Sequence, residues 1–256
     1  MRVVSLASGS RGNAYVVEHA GFALLIDCGL TVRTLRARVA ACGDLPPCPL
    51  GVLLTHAHGD HTAGLPRFLK CHPDLPVFAN AMTAEAVAHE FKIDESAFVC
   101  FENGQAFDVG PFSVLPFSIP HDTNDPVGYL VKADGVTYFH GTDIGTPLDS
   151  IGVRLAEADC ATLESNHDPV MLRQSGRPPC LVQRIAGPRG HLSNDQACEL
   201  VRRFASLRLK RLALAHLSRD CNSPLLAEAA MRETLAVLRR ADVALTVLSQ
   251  DEVVAL

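Results

Sequence analysis

Short apolar blocks, each closed by Gly, Pro, Asn or Asp, run the length of this chain. Val3 to Ala7, Ala14 to Glu18 and Phe22 to Asp27 have strand length, and the turns between them, Ser8 to Asn13 and His19-Ala20-Gly21, predict an antiparallel meander. Thr31 can cap a helix to about Ala41 with Leu35 and Val39 on its buried face. A loop at Pro46-Pro47 and Pro49 follows, then a short strand at Val52-Leu53-Leu54, helix over Leu65 to Leu69, strand over Val77 to Ala79 and helix over Met82 to Glu90. Ala97 to Phe101, Ala106 to Val109 and Phe112 to Ile119 predict a second meander turning at Glu102-Asn103-Gly104. Val127 to Val131 and Val136 to Phe139 form a hairpin about Asp134-Gly135.

From about Thr146 the pattern becomes β/α. Helix is expected over Pro147 to Ala158 and strand over Cys160 to Glu164, and a Gly-, Pro- and Arg-rich stretch, 173–190, leads to Gly190-His191-Leu192-Ser193. Ser193 with Gln196 makes a capping box for a helix through Ala205. Strand over Leu209 to Ala215, helix from Ser223-Pro224 to about Arg240 and a last strand over Val243 to Leu248 complete the reading.

Where the apolar blocks stop, chemistry begins. Val52-Leu53-Leu54 runs into His56, His58, Asp60 and His61. An extended backbone puts His56 and His58 on one side, and the turn at Gly59 redirects Asp60 and His61, so one loop can serve two cations. Imidazole and carboxylate together suit Zn, Mn or Fe. The loop Ser8 to Asn13, with Ser10 and Asn13, offers backbone N–H groups to an anion or is an ordinary hairpin connection.

Composition narrows the setting. With 256 residues, 48% hydrophobic and 5% aromatic, the chain reads as one domain over 1–256 with an aliphatic core, in two β/α halves of about 1–145 and 146–256. The N-terminus lacks a signal-peptide h-region and no apolar run reaches a membrane span, so a cytoplasmic location away from membranes is expected. Nine cysteines without a CxxC pair argue against a disulfide framework or zinc ribbon and read mostly as small buried hydrophobes. The net charge of −5 excludes a wholly basic nucleic-acid binder. Yet residues 171–221 hold ten Arg and Lys against three acids, +7, leaving −12 elsewhere. This segment is either a phosphate track or, at Arg202, Arg203, Lys210 and Arg211, solvated element ends.

His56-Ala57-His58-Gly59-Asp60-His61 resembles the HxHxDH signature of the metallo-β-lactamase superfamily. That resemblance implies an α/β fold, the αββα four-layer sandwich of two mixed sheets flanked by helices, and two divalent metal ions. One would be held by His56, His58 and His121, the other by Asp60, His61 and His216, with Asp143 bridging. Asp60 would also serve catalysis, and Asp27, ending its strand, would brace the ligand loop. Glu164 and His191 resemble the pair that ribonuclease Z-type enzymes use to protonate the leaving oxygen. His167 in Glu-Ser-Asn-His-Asp contacts phosphate, braces Glu164 or is a plain loop residue.

Leu6 to Ser10 with Gly12-Asn13, Leu25 to Leu30, Asp125 to Tyr129, Gly190 to Asn194 and Leu214 to Ser218 extend the likeness to the YycJ/WalJ branch over nearly the whole chain. What it implies is a dinuclear phosphodiesterase, a 5′-to-3′ exonuclease on double-stranded DNA with a repair role. DNA is preferred to RNA as partner, and a homodimer is one way to grip a polymer. The alternative on the same fold is a small-molecule hydrolase, a cyclic phosphodiesterase, lactonase or thioesterase, which predicts an enclosed apolar pocket. A metal-bound scaffold without turnover is a third class, which the intact ligand set opposes.

Overall fold

The computed structural model describes residues 1–43, 45–46 and 48–256; of the expected proline loop, Pro47 lies outside them. The first half runs β1 (Arg2–Ala7), β2 (Ala14–His19), β3 (Phe22–Ile26), α1 (Val32–Ala41), β4 (Val52–Leu53), α2 (Gly59–Thr62), α3 (Leu65–Cys71), β5 (Val77–Asn80), α4 (Ala81–Phe91) and β6 (Phe98–Phe101). Then come β7 (Phe107–Val109), β8 (Phe112–Ser118), β9 (Val127–Ala133), β10 (Val136–Gly141), α5 (Asp149–Ala156) and β11 (Cys160–Glu164). The chain continues through α6 (Pro169–Gln174), α7 (Pro179–Ala186), α8 (Asn194–Phe204), β12 (Arg211–Ala215), α9 (Pro224–Val237), β13 (Ala244–Val247) and β14 (Val254–Ala255).

These strands form two mixed seven-stranded sheets, ordered β14-β1-β2-β3-β4-β5-β6 and β13-β12-β11-β10-β9-β8-β7. The expected second meander forms only in its later strands. β6 pairs parallel with β5, whereas β7 pairs antiparallel with β8, so 102–106 is a crossover between sheets. The division expected near 145 therefore does not coincide with the sheet boundary. β13 is not the last strand either: β14 returns to pair with β1. Two short helices were not expected: α7 lies within the Gly-, Pro- and Arg-rich stretch 173–190, and α6 begins just before it. Pro169 and Pro179 occupy their first turns, where the missing proline N–H costs no hydrogen bond.

Burial sorts the apolar side chains into three layers. Tyr15, Leu24, Ile26, Leu53, Phe112, Val114, Tyr129 and Tyr138 fill the space between the sheets. Leu35, Leu65, Phe68 and Val87 pack α1, α3 and α4 on the outer face of the first sheet, while Ile151, Leu155, Leu200, Val201 and Met231 pack α5, α8 and α9 on the second. This is the αββα sandwich, and each fully buried aliphatic side chain contributes about 1.5–3 kcal/mol. Helix starts are capped as their residues require: Thr31, Asn80 and Ser223 accept from backbone N–H groups, and Ser193 and Gln196 complete a capping box.

Four of nine cysteines, Cys28, Cys160, Cys198 and Cys221, are buried, and Cys48, Cys71, Cys100 and Cys180 are exposed; none is in a disulfide. The expectation of a mainly buried set thus fails. Among the described residues no helix is long and apolar enough to cross a membrane.

Candidate metal centre and active cleft

One edge of the sandwich collects the strand ends. Asp27 follows β3, His56 to His61 follow β4, and His121 lies beyond β8. Asp143 follows β10, Glu164 ends β11 and His216 follows β12. Asp27, Asp143 and His216 turn their strands off the sheet with φ of 59°, 60° and 56°, in the left-handed region that side chains adopt at a cost. Parallel strands leave their C-terminal ends at one edge, which is why residues so far apart in sequence converge.

His58 is still extended, with φ −62° and ψ 147°, and Gly59 opens α2, so Asp60 and His61 leave from a helical turn as the spacing predicted. His56, His58 and His121 bring one ligand nitrogen each into a single group; Asp60, His61 and His216 form another, and Asp143 joins groups with either set. His56 Nε2 lies 3.1 Å from His58 Nδ1. The Asp143 oxygens reach His61 Nε2 at 3.2 Å, His216 Nδ1 at 3.6 Å and His121 Nε2 at 3.8 Å. His121 Nε2 and Asp143 Oδ2 are buried without a hydrogen-bond partner. A shared cation satisfies such atoms, and the imidazole and carboxylate donor set fits one.

The ring nitrogens turned away from this centre are held. Asp27 accepts from the Thr55 backbone N–H at 2.9 Å and from His61 Nδ1 at 2.7 Å, which fixes the His61 tautomer and leaves Nε2 facing inward. His121 Nδ1 donates to the Gly190 carbonyl at 2.9 Å. Burial alone would push His216 down, but Asp143, Asp60 and Glu164 outweigh it and hold the imidazole at about 10. Against the same desolvation, Asp27, Asp60 and Asp143 raise His61 well above the histidine range. His56, buried beside other imidazoles, is driven well below it.

Glu164 is fully buried and joins several loops. Its Oε1 lies 2.8 Å from His191 Nδ1 and 3.2 Å from His216 Nδ1, and its Oε2 accepts from the Ile144 and Leu192 backbone N–H groups at 2.7 and 3.0 Å. Desolvation would raise this carboxyl; His191 and its hydrogen bond instead bring it down to about 2. His191 in turn is held above its ordinary value by Glu164 and Asp143 despite burial. With Nδ1 committed to Glu164, Nε2 is the ring nitrogen left for the cleft.

Three residues expected at the substrate fall differently. Ser10 is exposed and lines the cleft. Asn13 is buried: its amide bonds the Gly9 backbone both ways and donates to Asp60 Oδ2 at 3.2 Å, so it is turned inward onto the Asp60 carboxylate. His167 is 3% exposed, and neither the cleft nor the compartment beside it includes the ring in its wall.

Sequence reasoning passed over Asp122 and Arg184. The buried Asp122 Oδ1 lies 3.3 Å from His121 Nε2, while Oδ2 accepts from Arg184 of α7. The dipeptide His121-Asp122 was the available signal for the first; Arg184 was visible only as one charge of the basic segment.

The cleft holds about 300 Å³, and no apolar side chain lines it. A larger apolar cavity of about 430 Å³ lies between α1, Leu45 and Phe68 on the outer face of the first sheet and includes none of the ligand residues. The +7 segment divides. Arg203, Arg208 and Lys210 pair with Asp149, Asp159 and Asp242 toward the opposite end of β12, whereas Arg184 and Arg177 stand by the cleft.

A model of the β-lactamase superfamily domain matches residues 23–217. Exodeoxyribonuclease WalJ of Streptococcus pneumoniae serotype 2 is 32% identical over 234 residues, covering 90% of this chain and 87% of that protein. Exodeoxyribonuclease YycJ of Bacillus anthracis is 32% identical over 231 residues, with the same two coverages. Zn²⁺-bound PqqB from Methylobacterium extorquens superposes with a TM-score of 0.75 at 19% identity over 100% of this chain and 99% of that one, a likeness of fold. The chain belongs to the β-lactamase superfamily and is a metal-dependent hydrolase of the metallo-β-lactamase fold.

Proposed function

We propose that the chain is a dinuclear phosphodiesterase that acts as a 5′-to-3′ exonuclease on double-stranded DNA. The observation that carries this reading is the buried Glu164 carboxylate 2.8 Å from His191 at the wall of a wholly polar cleft. An imidazole oriented and kept protonated by a carboxylate is a general acid for a poor leaving oxygen, as the 3′-oxygen of a nucleotide is. The likeness to two exodeoxyribonucleases supports DNA as the polymer. A cytoplasmic place in DNA repair accords with that substrate. A lactonase or thioesterase calls for an apolar acyl pocket at the centre, and the apolar cavity lies elsewhere.

In this reading His56, His58 and His121 would hold one cation and Asp60, His61 and His216 the other, with Asp143 serving both. Zn and Mn both suit these donors, and Fe is compatible with them. Bound there, such ions would supply Lewis-acid activation of water and charge neutralisation at the phosphoryl group. The protein's own part is positional. Asp27 and Thr55 orient His61, Asn13 steadies Asp60, the Gly190 carbonyl orients His121, and His191 delivers the proton. Ser10, exposed at the rim, is placed to meet a phosphate oxygen.

The test is turnover of an end-labelled, 5′-phosphorylated DNA duplex beside bis-p-nitrophenyl phosphate after metal reconstitution. Mononucleotide release by the wild type, lost in Asp60→Ala, is the expected result. Cleavage of the small ester with the duplex left intact would overturn the nuclease reading.

A further inference from the structure

We propose that a second compartment, beside the metal cleft and under α7, is a subsite for the single nucleotide at a 5′-phosphorylated strand end, with Arg177 binding its phosphate. The inference rests on the nuclease reading and adds to it the group recognised and the origin of its polarity. The compartment holds about 310 Å³ and shares Ser10, Asp122, Arg184 and His191 with the cleft. That volume is at the low end of ligand pockets, about 300–1,000 Å³, and accommodates one nucleotide but not several.

α7 forms one wall of this compartment. It buries none of its side chains. Leu181 and Ile185, four residues apart on one face, line the compartment and offer an apolar surface to a sugar and base. Asn166 and Ser218 contribute polar groups to the wall.

Two cations stand over this space. Arg184 borders both chambers, its guanidinium paired with the Asp122 carboxylate. Arg177 borders only the second. Its 2.9 Å partner Asp220 is 74% exposed and is not part of the wall. A solvent-exposed ion pair of this kind is weak, so a dianionic phosphate can displace Asp220 from the guanidinium.

His191 sets the direction of the strand. It borders both chambers, so with the scissile phosphate in the metal cleft the leaving oxygen lies where the two meet and the leaving residue extends into the second. Water supplies the incoming oxygen and gives up a proton, and the bond between phosphorus and O3′ breaks with its electron pair going to O3′. O3′ then takes a proton from His191. The products are a nucleoside 5′-monophosphate and a strand shorter by one residue with a new 5′-phosphate. A leaving nucleotide joined through O3′ carries its own phosphate at its other end, within the chamber that Arg177 lines and the cleft does not share. A 3′-terminal residue leaving through O5′ would present only a hydroxyl there.

The experiment has two readouts. Initial rates on duplexes with a 5′-phosphate or a 5′-hydroxyl give a preference ratio for wild type, Arg177→Ala and Arg177→Lys. Calorimetry measures binding of thymidine 5′-monophosphate and thymidine to the metal-free proteins. The expected wild-type ratio is tenfold or more, falling below threefold in Arg177→Ala and partly restored in Arg177→Lys. Thymidine monophosphate is expected to bind the wild type at least tenfold more tightly than Arg177→Ala, with thymidine indifferent. Release of mononucleotides irrespective of the 5′ end, with monophosphate binding unchanged in Arg177→Ala, would overturn the subsite and leave the nuclease reading standing. An intact duplex with Arg177-dependent monophosphate binding would support the subsite and overturn the nuclease reading.

Discussion

Glu164 shows how one side chain can set the chemistry of its neighbours. It receives two backbone N–H groups, one from the Asp143 loop and one beside His191, and both imidazoles on its other oxygen. Glu164→Gln keeps the shape and removes the charge, so His191 loses what holds it above its ordinary value. At saturating metal, turnover of a phosphodiester at pH 8 is expected to fall about 10²-fold or more, with the alkaline limb of the rate profile moving to lower pH. An unmoved limb would take the proton-donor role away from the pair. The HxHxDH cluster was legible because its residue types and spacing sit in one ten-residue stretch. The direction of the Asn13 amide, inward to Asp60, was not legible because a Gly- and Ser-rich loop carries no periodicity from which side-chain direction can be read.

At the scale of elements, strand and helix positions followed the apolar periods closely, but partners did not. Phe98–Phe101 and Phe107–Val109 look alike as runs, and nothing local says that the chain changes sheets between them. β14 has two residues, too few for a period. Residues 173–190 were read as irregular because Gly176, Pro178 and Pro179 break helices in most settings; here Pro179 begins one. That segment is welded to the centre, for the His191 N–H donates to the Ile185 carbonyl at 2.9 Å while the Gly190 carbonyl accepts from His121. A Cβ at Gly190 would lie 2.1 Å from the Ile185 carbonyl oxygen and 2.3 Å from that of Arg184. Gly190→Ala should therefore cost about 1–3 kcal/mol, or about 2–4 °C of Tm per kcal/mol in a chain of this size. It should also depress turnover, since His121 and His191 move together; a variant with wild-type Tm and kcat would show that the loop yields freely.

For the whole molecule, the centre couples metal binding to stability and pH. His216, at about 10 when folded and near 6.5 unfolded, contributes stability that is complete below about pH 6.5 and is lost as pH rises toward 10. Glu164 contributes in the opposite sense, above about pH 4.5, and loses its share as pH falls through about 2. Cations bind deprotonated imidazole, so they compete with the proton on His216 and His61. The metal-free protein should lose Tm between pH 6.5 and 8.5, and the gain in Tm on adding saturating Zn or Mn should grow over that interval. A gain independent of pH would mean that these imidazoles are already neutral. The charge asymmetry was visible in the sequence, yet its use was not, because β12 carries Lys210 and His216 to opposite ends of the sheet.

The three left-handed strand ends bear on how far the protein can be improved. Asp27, Asp143 and His216 hold conformations that glycine or asparagine takes more readily. Glycine there would relieve the backbone but strip the buried partners of Asp27 and His216 of their bonds, so these side chains are kept at a conformational cost. Directed evolution that scored heat tolerance alone would find its gains at left-handed positions outside the centre, such as Ala20, Lys92 and Arg239, and would leave the cleft as it is.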